Sequence, residues 1–483
     1  MGKDAKTLRR YLSMDGLIQW FSGPAAKHRL SALMAIGVLF GAVLLGQRAS
    51  MRGLLLLVAG AGALVVLHMP QVGLLAVIAA TLVVPLEIST GTEVRLNIAT
   101  LLVPALYGFW VIERLRTKAL GWVPSSVNRC LILFLLAGLL SLLIGNVTWD
   151  PAVPKSSNFW LVQLAQWAIF AFAAFAFWLV ANLDDPDAWL PRLTWFFLIL
   201  GGGLAILRVA PGTSQLVAPF TTRTFNRAPF WILLAALAGG QLLFNAELGR
   251  GRKIFLVAVL AAVLVYAFVL MDDRTSNWVG IASMAGVLVW LRLPRLRRAI
   301  LVVGGLLLLL GLVSGFLYEF AGGDEKWDES GASRLLLIER VVSVTMRNPI
   351  TGLGPAAYRP YANVRPLLYR GALWWNPQIS SHNNYVDLFA HGGIVGLILF
   401  FWFAVELGLL GLRVSDRHPT GFTGGYANGM TAAWVGSLVI MLLADWMLPF
   451  IYNIGFPGFQ ASILVWLFLG GLVAIDAGGP IDV

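Results

Sequence analysis

"SSNFWLVQLAQWAIFAFAAFAFWLVANL", residues 156–183, contains no Asp, Glu, Lys or Arg. A helix rises about 1.5 Å per residue, so this stretch is long enough to cross a hydrocarbon layer of about 30 Å. Working outward, residues 131–149, 254–271, 299–318 and 446–475 are equally free of charge. The whole chain follows suit: 58% of its 483 residues are hydrophobic, 12% are charged and the mean hydropathy is +0.79. A soluble domain carries about a quarter of its residues as charges. An outer-membrane barrel would show short alternating segments. The sequence therefore predicts an all-α, polytopic transmembrane helical bundle.

Fourteen candidate spans follow, near 30–46, 53–69, 71–86, 97–112, 130–145, 159–182, 194–209, 230–246, 254–271, 277–291, 299–318, 385–412, 428–446 and 454–475. About 12 to 14 of them are expected to cross. The stretch 53–86 is interrupted at "HMPQ" and 194–209 is short and glycine-bearing, which marks both as kinked or re-entrant candidates. Residues 1–29 are basic and lack a signal-peptide pattern, so they read as a cytoplasmic N-terminal tail. Residues 30–318 form the main bundle, 319–384 one large outer loop, and 385–483 the C-terminal helices. Of the 35 Lys and Arg residues, 20 fall in the segments this scheme puts inside, 8 in the short outer loops and 7 in the long loop. That asymmetry sets the orientation. The net charge of +11 therefore reports topology and membrane lipids as neighbours, and no nucleic acid. The single cysteine, Cys130, excludes an intramolecular disulfide and any multi-cysteine metal site.

Three polar clusters converge on the outer face. Residues 330–347 carry apolar side chains at Leu335, Ile338, Val341, Val342 and Val344, with Arg334, Arg340 and Arg347 off that stripe, which predicts an amphipathic helix lying on the membrane or roofing a cavity. It ends at "NPITGLGP", where prolines and glycines force a turn. In "SSHNNY", residues 380–385, Ser380 and Ser381 are helix N-cap residues, so His382 is expected in the first turn of the span beginning near 385. The positive helix end favours a neutral imidazole there, able to act as general base for a hydroxyl nucleophile or simply to sit as an interfacial polar residue. His391, nine positions on, would face the other way. Arg223 and Arg227 in "TTRTFNRAPF" and Arg274 in "DDRTSNW" suit phosphate oxygens, although Arg274 could equally pair with Asp272 or Asp273. Trp374 and Trp375 could stack on sugar rings or anchor at the interface. Glu87 and Glu93 could in principle hold a metal, but no nearby residue completes a set.

"GASRLLLIERVVSVTMRNPITGLGPAAY" (331–358) followed by "SSHNNYVDLFAHGGIVG" (380–396) resembles the signature of the O-antigen ligase and polymerase superfamily. Its marks are a Ser-Arg-Leu helix start, a Pro-x-x-Gly-x-Gly-Pro turn, His-Asn-x-Tyr and a later Gly-x-x-Gly. The segments "RTFNRAPF" and "DDRTSNWVG" resemble that family's arginine-bearing outer segments. The resemblance implies a GT-C-type architecture in a bacterial inner membrane, with the active site facing the periplasm. It also implies an inverting, metal-independent glycosyltransferase that needs no cofactor and takes its glycan from undecaprenyl diphosphate. His382 then matches the family's general base, Arg274 the arginine on the donor diphosphate and Arg223 the second arginine, with Arg227 next in line. Arg334, Asn383, Tyr385, Trp374 and Trp375 are the further substrate-binding candidates. The family departs here in carrying an acidic residue where this chain has His391, and small residues where it has "RTSNW". Two activities share this donor chemistry: ligation to a lipid A-core acceptor, and polymerisation of lipid-linked repeat units. The rival from another class is a transporter of lipid-linked oligosaccharide, which predicts charges near the bilayer midplane and an internal repeat. The polar clusters lie at the outer face, and the sequence shows no such repeat. Oligomeric state is not legible.

Overall fold

The computed structural model describes residues 69–89, 95–118, 121–220, 222–270, 274–313, 336–365, 367–369, 372–374 and 381–478. The expected N-terminal tail, the span 30–46, all but the last residue of 53–69 and the last five residues of 299–318 lie outside that set, as do residues 319–335, 366, 370–371 and 375–380 of the long loop. The chain divides into two compact units, Met1–Val77 with Leu102–Trp122, and Ile78–Leu101 with Val123–Val483. In the described part of the first, Tyr107 stacks on Trp110 at 5.6 Å and Arg116 donates to Glu113 at 2.9 Å, one turn back. All further description concerns the second unit.

The fold is all-α, that of a polytopic membrane protein. Seven described helices are long and apolar enough to cross a membrane, and an eighth span is added if the pair Trp278–Arg292 and Pro294–Leu306, bent by 118°, counts as one. In chain order the helices that build the unit are α1 (Ser126–Val147), α2 (Phe159–Ala181), α3 (Pro186–Val209), α4 (Ala228–Phe244), α5 (Arg250–Val265), α6 (Arg274–Arg292), α7 (Arg297–Val313), α8 (336–345), α9 (Tyr358–Asn363), α10 (Asn384–Arg417), α11 (Gly421–Ile440) and α12 (Gly455–Ala477). Two short antiparallel hairpins, Glu87–Ser89 with Arg95–Asn97 and Leu367–Tyr369 with Ala372–Trp374, sit in the connections.

Helices α4 and α12 are buried along nearly their whole length, because apolar residues surround each one on every side. They form the centre. Helix α10 is amphipathic in the membrane sense. Ile398, Phe401, Val405 and Leu409 are exposed along one stripe, where lipid tails would cover them, and Phe400, Phe403 and Leu407 face the core.

The structure corrects three expectations. The stretch 194–209 is neither short nor broken: α3 starts at Pro186, with the Asp185 carboxylate accepting the Ala188 N–H at 3.1 Å. An N-cap acid with proline in the first turn is a strong start signal. The span expected at 428–446 is displaced, since α11 ends at Ile440 and residues 441–454 form an irregular connection. The amphipathic helix is also rotated from its expected face. In α8 the buried residues are Leu337, Arg340, Val341, Val344 and Thr345, while Val342 is exposed. Arg340 is buried because its guanidinium donates to the carbonyls of Ala362 (2.6 Å) and Arg365 (2.5 Å), at and just beyond the end of α9. A cation there satisfies the carbonyls that the helix leaves open.

Candidate active site

The site is built on a helix break. Inside α10, Gly393 has φ +63° and ψ −165°, a conformation closed to residues with a β-carbon. The break frees backbone groups, and the turn 349–354 takes them up: Ile394 N donates to Pro349 O at 2.9 Å, Val395 N to Ile350 O at 3.2 Å, and Leu353 N to Ala390 O at 2.9 Å. The contact is main chain against main chain. A β-carbon on Gly352 would stand 2.6 Å from Gly393 N, so both partners must be glycine. Gly352 of "NPITGLGP" and the first glycine of the Gly-x-x-Gly pair (Gly393 and Gly396) thus have one physical purpose. They join the long loop to the start of α10.

That loop packs on a small core of its own. Val341, Val344, Leu353, Tyr358, Tyr361 and Val153 are buried together. Tyr361 O–H also receives a hydrogen bond from Asp150 N at 3.0 Å, and Arg347 pairs with Asp150. The Ala152 N–H and then Arg347 hold the Asp150 carboxyl below the usual carboxylate range. Helix α8 therefore rests on protein as a roof over the connection between α1 and α2.

Ahead of the break, Asn383 caps α10, its Oδ1 accepting from Tyr385 N (3.0 Å) and Val386 N (3.3 Å). This corrects the expected caps. Ser381 instead donates through Oγ to Asp387 Oδ1 at 2.7 Å, and Ser380 lies outside the described residues. His382 consequently precedes the helix and does not sit in its first turn. Its φ is +53°, a left-handed conformation uncommon for a residue with a side chain. Such strain persists only where surrounding contacts impose it, and it clusters at functional sites. Here those contacts come from the 441–454 connection. Asn384 N donates to Met441 O (2.8 Å), Asn384 Nδ2 to Leu448 O (2.8 Å), and Leu448 N returns a bond to Asn384 Oδ1 (3.2 Å).

The same connection brings Asp445 to the site. Asp445 is 2% exposed and accepts from the Asn453 amide. Burial pushes its carboxyl above the usual carboxylate range, while the charge of His382, the Asn453 amide and the charge of Arg227 pull it back. His382 and Arg227 are thus each within electrostatic reach of Asp445, and the Arg227 guanidinium also lies over the Trp446 ring at 5.5 Å. Sequence reading passes over Asp445, because it falls inside a predicted span. The available signal is a lone carboxylate in an otherwise apolar run, which is costly unless it has a task.

The other sequence candidates are distributed as follows. Arg223 forms a two-pronged pair with Glu87, Nε to Oε1 at 2.7 Å and an Nη to Oε2 at 3.3 Å, and is half exposed. Arg95 shares that carboxylate at 3.4 Å. Glu87 is therefore an arginine partner, and Glu93 lies outside the described residues. Tyr385 donates its hydroxyl to Leu438 O at 2.8 Å and stacks on Phe401, and the Asn383 amide also donates to Leu442 O at 3.2 Å. Both side chains hold α10 to its neighbours. Arg274 is the first residue of α6 and Trp374 the last of the second hairpin strand; their side chains, and all of Arg334 and Trp375, lie outside what is described. His391 is buried two residues before the break, with Nδ1 accepting from Ala356 N at 3.4 Å and its ring edge-on to Phe450 at 4.4 Å. Among the described residues no three His, Cys, Asp or Glu side chains group so as to hold a metal ion.

No curated protein matches the chain. A family model described as O-antigen ligase matches residues 256–401, from α5 through the broken start of α10. The match takes in His382, Arg274 and the turn that fills the helix break, while Arg223, Arg227 and Asp445 lie outside it. Over residues 256–401 the chain carries a domain of the O-antigen ligase and polymerase superfamily of membrane glycosyltransferases.

Proposed function

We propose that this protein transfers a glycan from undecaprenyl diphosphate to an acceptor hydroxyl on the periplasmic face of a bacterial inner membrane, as an O-antigen ligase with a lipid A-core acceptor. The observation that carries this reading is the buried Asp445 carboxyl within electrostatic reach of both His382 and Arg227. A histidine beside a carboxylate takes a proton readily, because the imidazolium that forms has a fixed counter-charge. His382 removes the proton from the attacking hydroxyl. Asp445 stabilises the charged ring and orients it. The hydroxyl oxygen bonds to the anomeric carbon from the face opposite the diphosphate, the C–O bond to the diphosphate breaks, and the anomeric centre inverts. Arginines neutralise the charge that develops on the departing diphosphate, the contribution a metal ion makes elsewhere. Arg227 suits this role by its place within reach of Asp445, and Arg274 by its place in the family segment. Arg223 could join them by leaving Glu87 when a phosphate arrives.

The polymerase reading uses the same residues and differs only in the acceptor. Purified protein in nanodiscs, given an undecaprenyl diphosphate glycan, a panel of acceptors and EDTA, tests both. Expected is transfer that persists in EDTA and falls about 10²- to 10⁴-fold in His382→Ala. One addition per acceptor marks a ligase and a ladder marks a polymerase. Full activity in His382→Ala would sink the base assignment.

A further inference from the structure

Side chains spaced by four residues form ridges along a helix, and α8 with its last turn carries three such rows. Leu337 and Val341 form the first; both are buried, and Val341 with neighbouring Val344 belongs to the loop core. Glu339, Ser343 and Arg347 form the second, polar and exposed. Ile338, Val342 and Met346 form the third. Ile338 is half-buried, Val342 and Met346 are exposed, and Ile350, four positions past Met346, extends the row beyond the helix at 63% exposure. A helix lying on protein with water over the rest of it needs only one apolar face and one polar face. The third row is apolar and bare, so it calls for a second apolar neighbour.

Two observations identify that neighbour. The carbonyls of Pro349 and Ile350 accept the N–H groups of Ile394 and Val395, which sets Ile350 beside Ile394 at the start of the lipid-facing stripe of α10. Ile394 and Ile398 are themselves exposed. Arg347 pairs with Asp150, three residues past the end of α1, and α1 is a candidate span whose Leu136, Leu140, Leu143 and Val147 are exposed along one side. The end of the third row therefore lies where two lipid-facing surfaces stop, and it continues the apolar strip of α10. We infer that the row of Ile338, Val342, Met346 and Ile350 is seated in the edge of the hydrocarbon, in the leaflet at this end of the bundle, so that the bilayer is the second partner of the long loop. The row of Glu339, Ser343 and Arg347 then turns to water and lipid headgroups, and α8 is an interfacial helix whose remaining side rests on protein. The turn 349–354 that fills the break in α10 is thereby held at the membrane boundary. This seat is independent of the transferase reading.

The test uses the full-length protein in nanodiscs with a single nitroxide attached at Met346→Cys, Ser343→Cys or Ile398→Cys. Cys130→Ser removes the native thiol, and the serine hydroxyl can keep its bond to the Ser126 carbonyl. Electron paramagnetic resonance compares collisions with oxygen, which concentrates in hydrocarbon, and with a nickel chelate, which stays in water. The label at position 346 is expected to favour oxygen, as the label at 398 does, while the label at 343 favours the chelate. Chelate access at 346 equal to that at 343 would put the row in water and overturn the inference. Exclusion of both reagents from 346 would mean that protein covers the row, and would overturn it as well. A second measurement perturbs the seat itself. Val342→Asp combined with Met346→Asp places charge where hydrocarbon disfavours it, and should raise chelate access at Ile350→Cys, whereas Ser343→Asp should leave that access unchanged. Equal access in the two backgrounds would also refute the seat.

Discussion

Gly393→Ala should disable the protein without touching a functional side chain. The added methyl would sit at φ +63°, ψ −165°, a backbone region essentially reserved for glycine, at a strain of about 1–3 kcal/mol. It would also overlap the Ile350 carbonyl and Gly352 N, which are backbone atoms that no rotamer change can move aside. Relief requires the turn 349–354 to lift off α10, breaking the bonds from Ile394 to Pro349, Val395 to Ile350 and Leu353 to Ala390. Each is worth about 0.5–1.5 kcal/mol, so the combined cost is about 3–7 kcal/mol. Gly396→Ala is the control three residues on, in regular helix with nothing within 4 Å of its added carbon. That substitution should be neutral or stabilise slightly. Thermal unfolding of the two purified variants, with hydrogen exchange at residues 349–357, separates them. Equal melting temperatures and equal protection in the turn would refute the account of the break.

Asp445→Asn should lower transfer about 10- to 100-fold. It should also move the acid limb of the pH–rate profile to lower pH, because the histidine loses the charge that favours its protonated form; an unmoved limb would separate the two residues. Arg223→Gln and Glu87→Gln form a matched pair. If Arg223 binds diphosphate, the arginine variant loses donor affinity while the glutamate variant keeps or gains it, and equal losses in both would make the pair structural, as read by donor KM. Arg340→Met should destabilise the outer loop by about 2–3 kcal/mol, since it strips two carbonyls of a charged donor, seen as faster proteolysis between residues 336 and 365 at unchanged mass of the membrane core.

The spans and the histidine motif are legible because each is local: hydrophobic length is counted along the chain, and "HNNY" is contiguous. What escapes reading is set by partners far away. Four of the five residues at 380–384, the two serines and two asparagines, are of types that cap a helix, and the choice of Asn383 follows from the bonds of Asn384 to Met441 and Leu448, about sixty positions on. Arg340 reads as solvent-facing until the carbonyls of Ala362 and Arg365 are brought to it. Asp445 hides in apolar sequence because the end of α11 is decided by packing, with Ile440 as its last residue, and hydropathy runs on unbroken through Leu443. Between the arginines, the resemblance points first to Arg223; in space it is Arg227 that stands beside Asp445.

The break at Gly393 also sets what the bilayer can do to this site. The residues ahead of it are fastened by main-chain bonds to the long loop and to the connection after α11, and the lipid-facing length of α10 begins only beyond it. A membrane that thickens or thins tilts that length to match. Ile394 and Val395, the first residues past the break, are bonded to the same turn, so the tilt would be taken up further along the helix, away from the cap that carries His382. On the transferase reading, the reaction rate should then track substrate supply more closely than lipid composition across growth conditions that remodel the membrane.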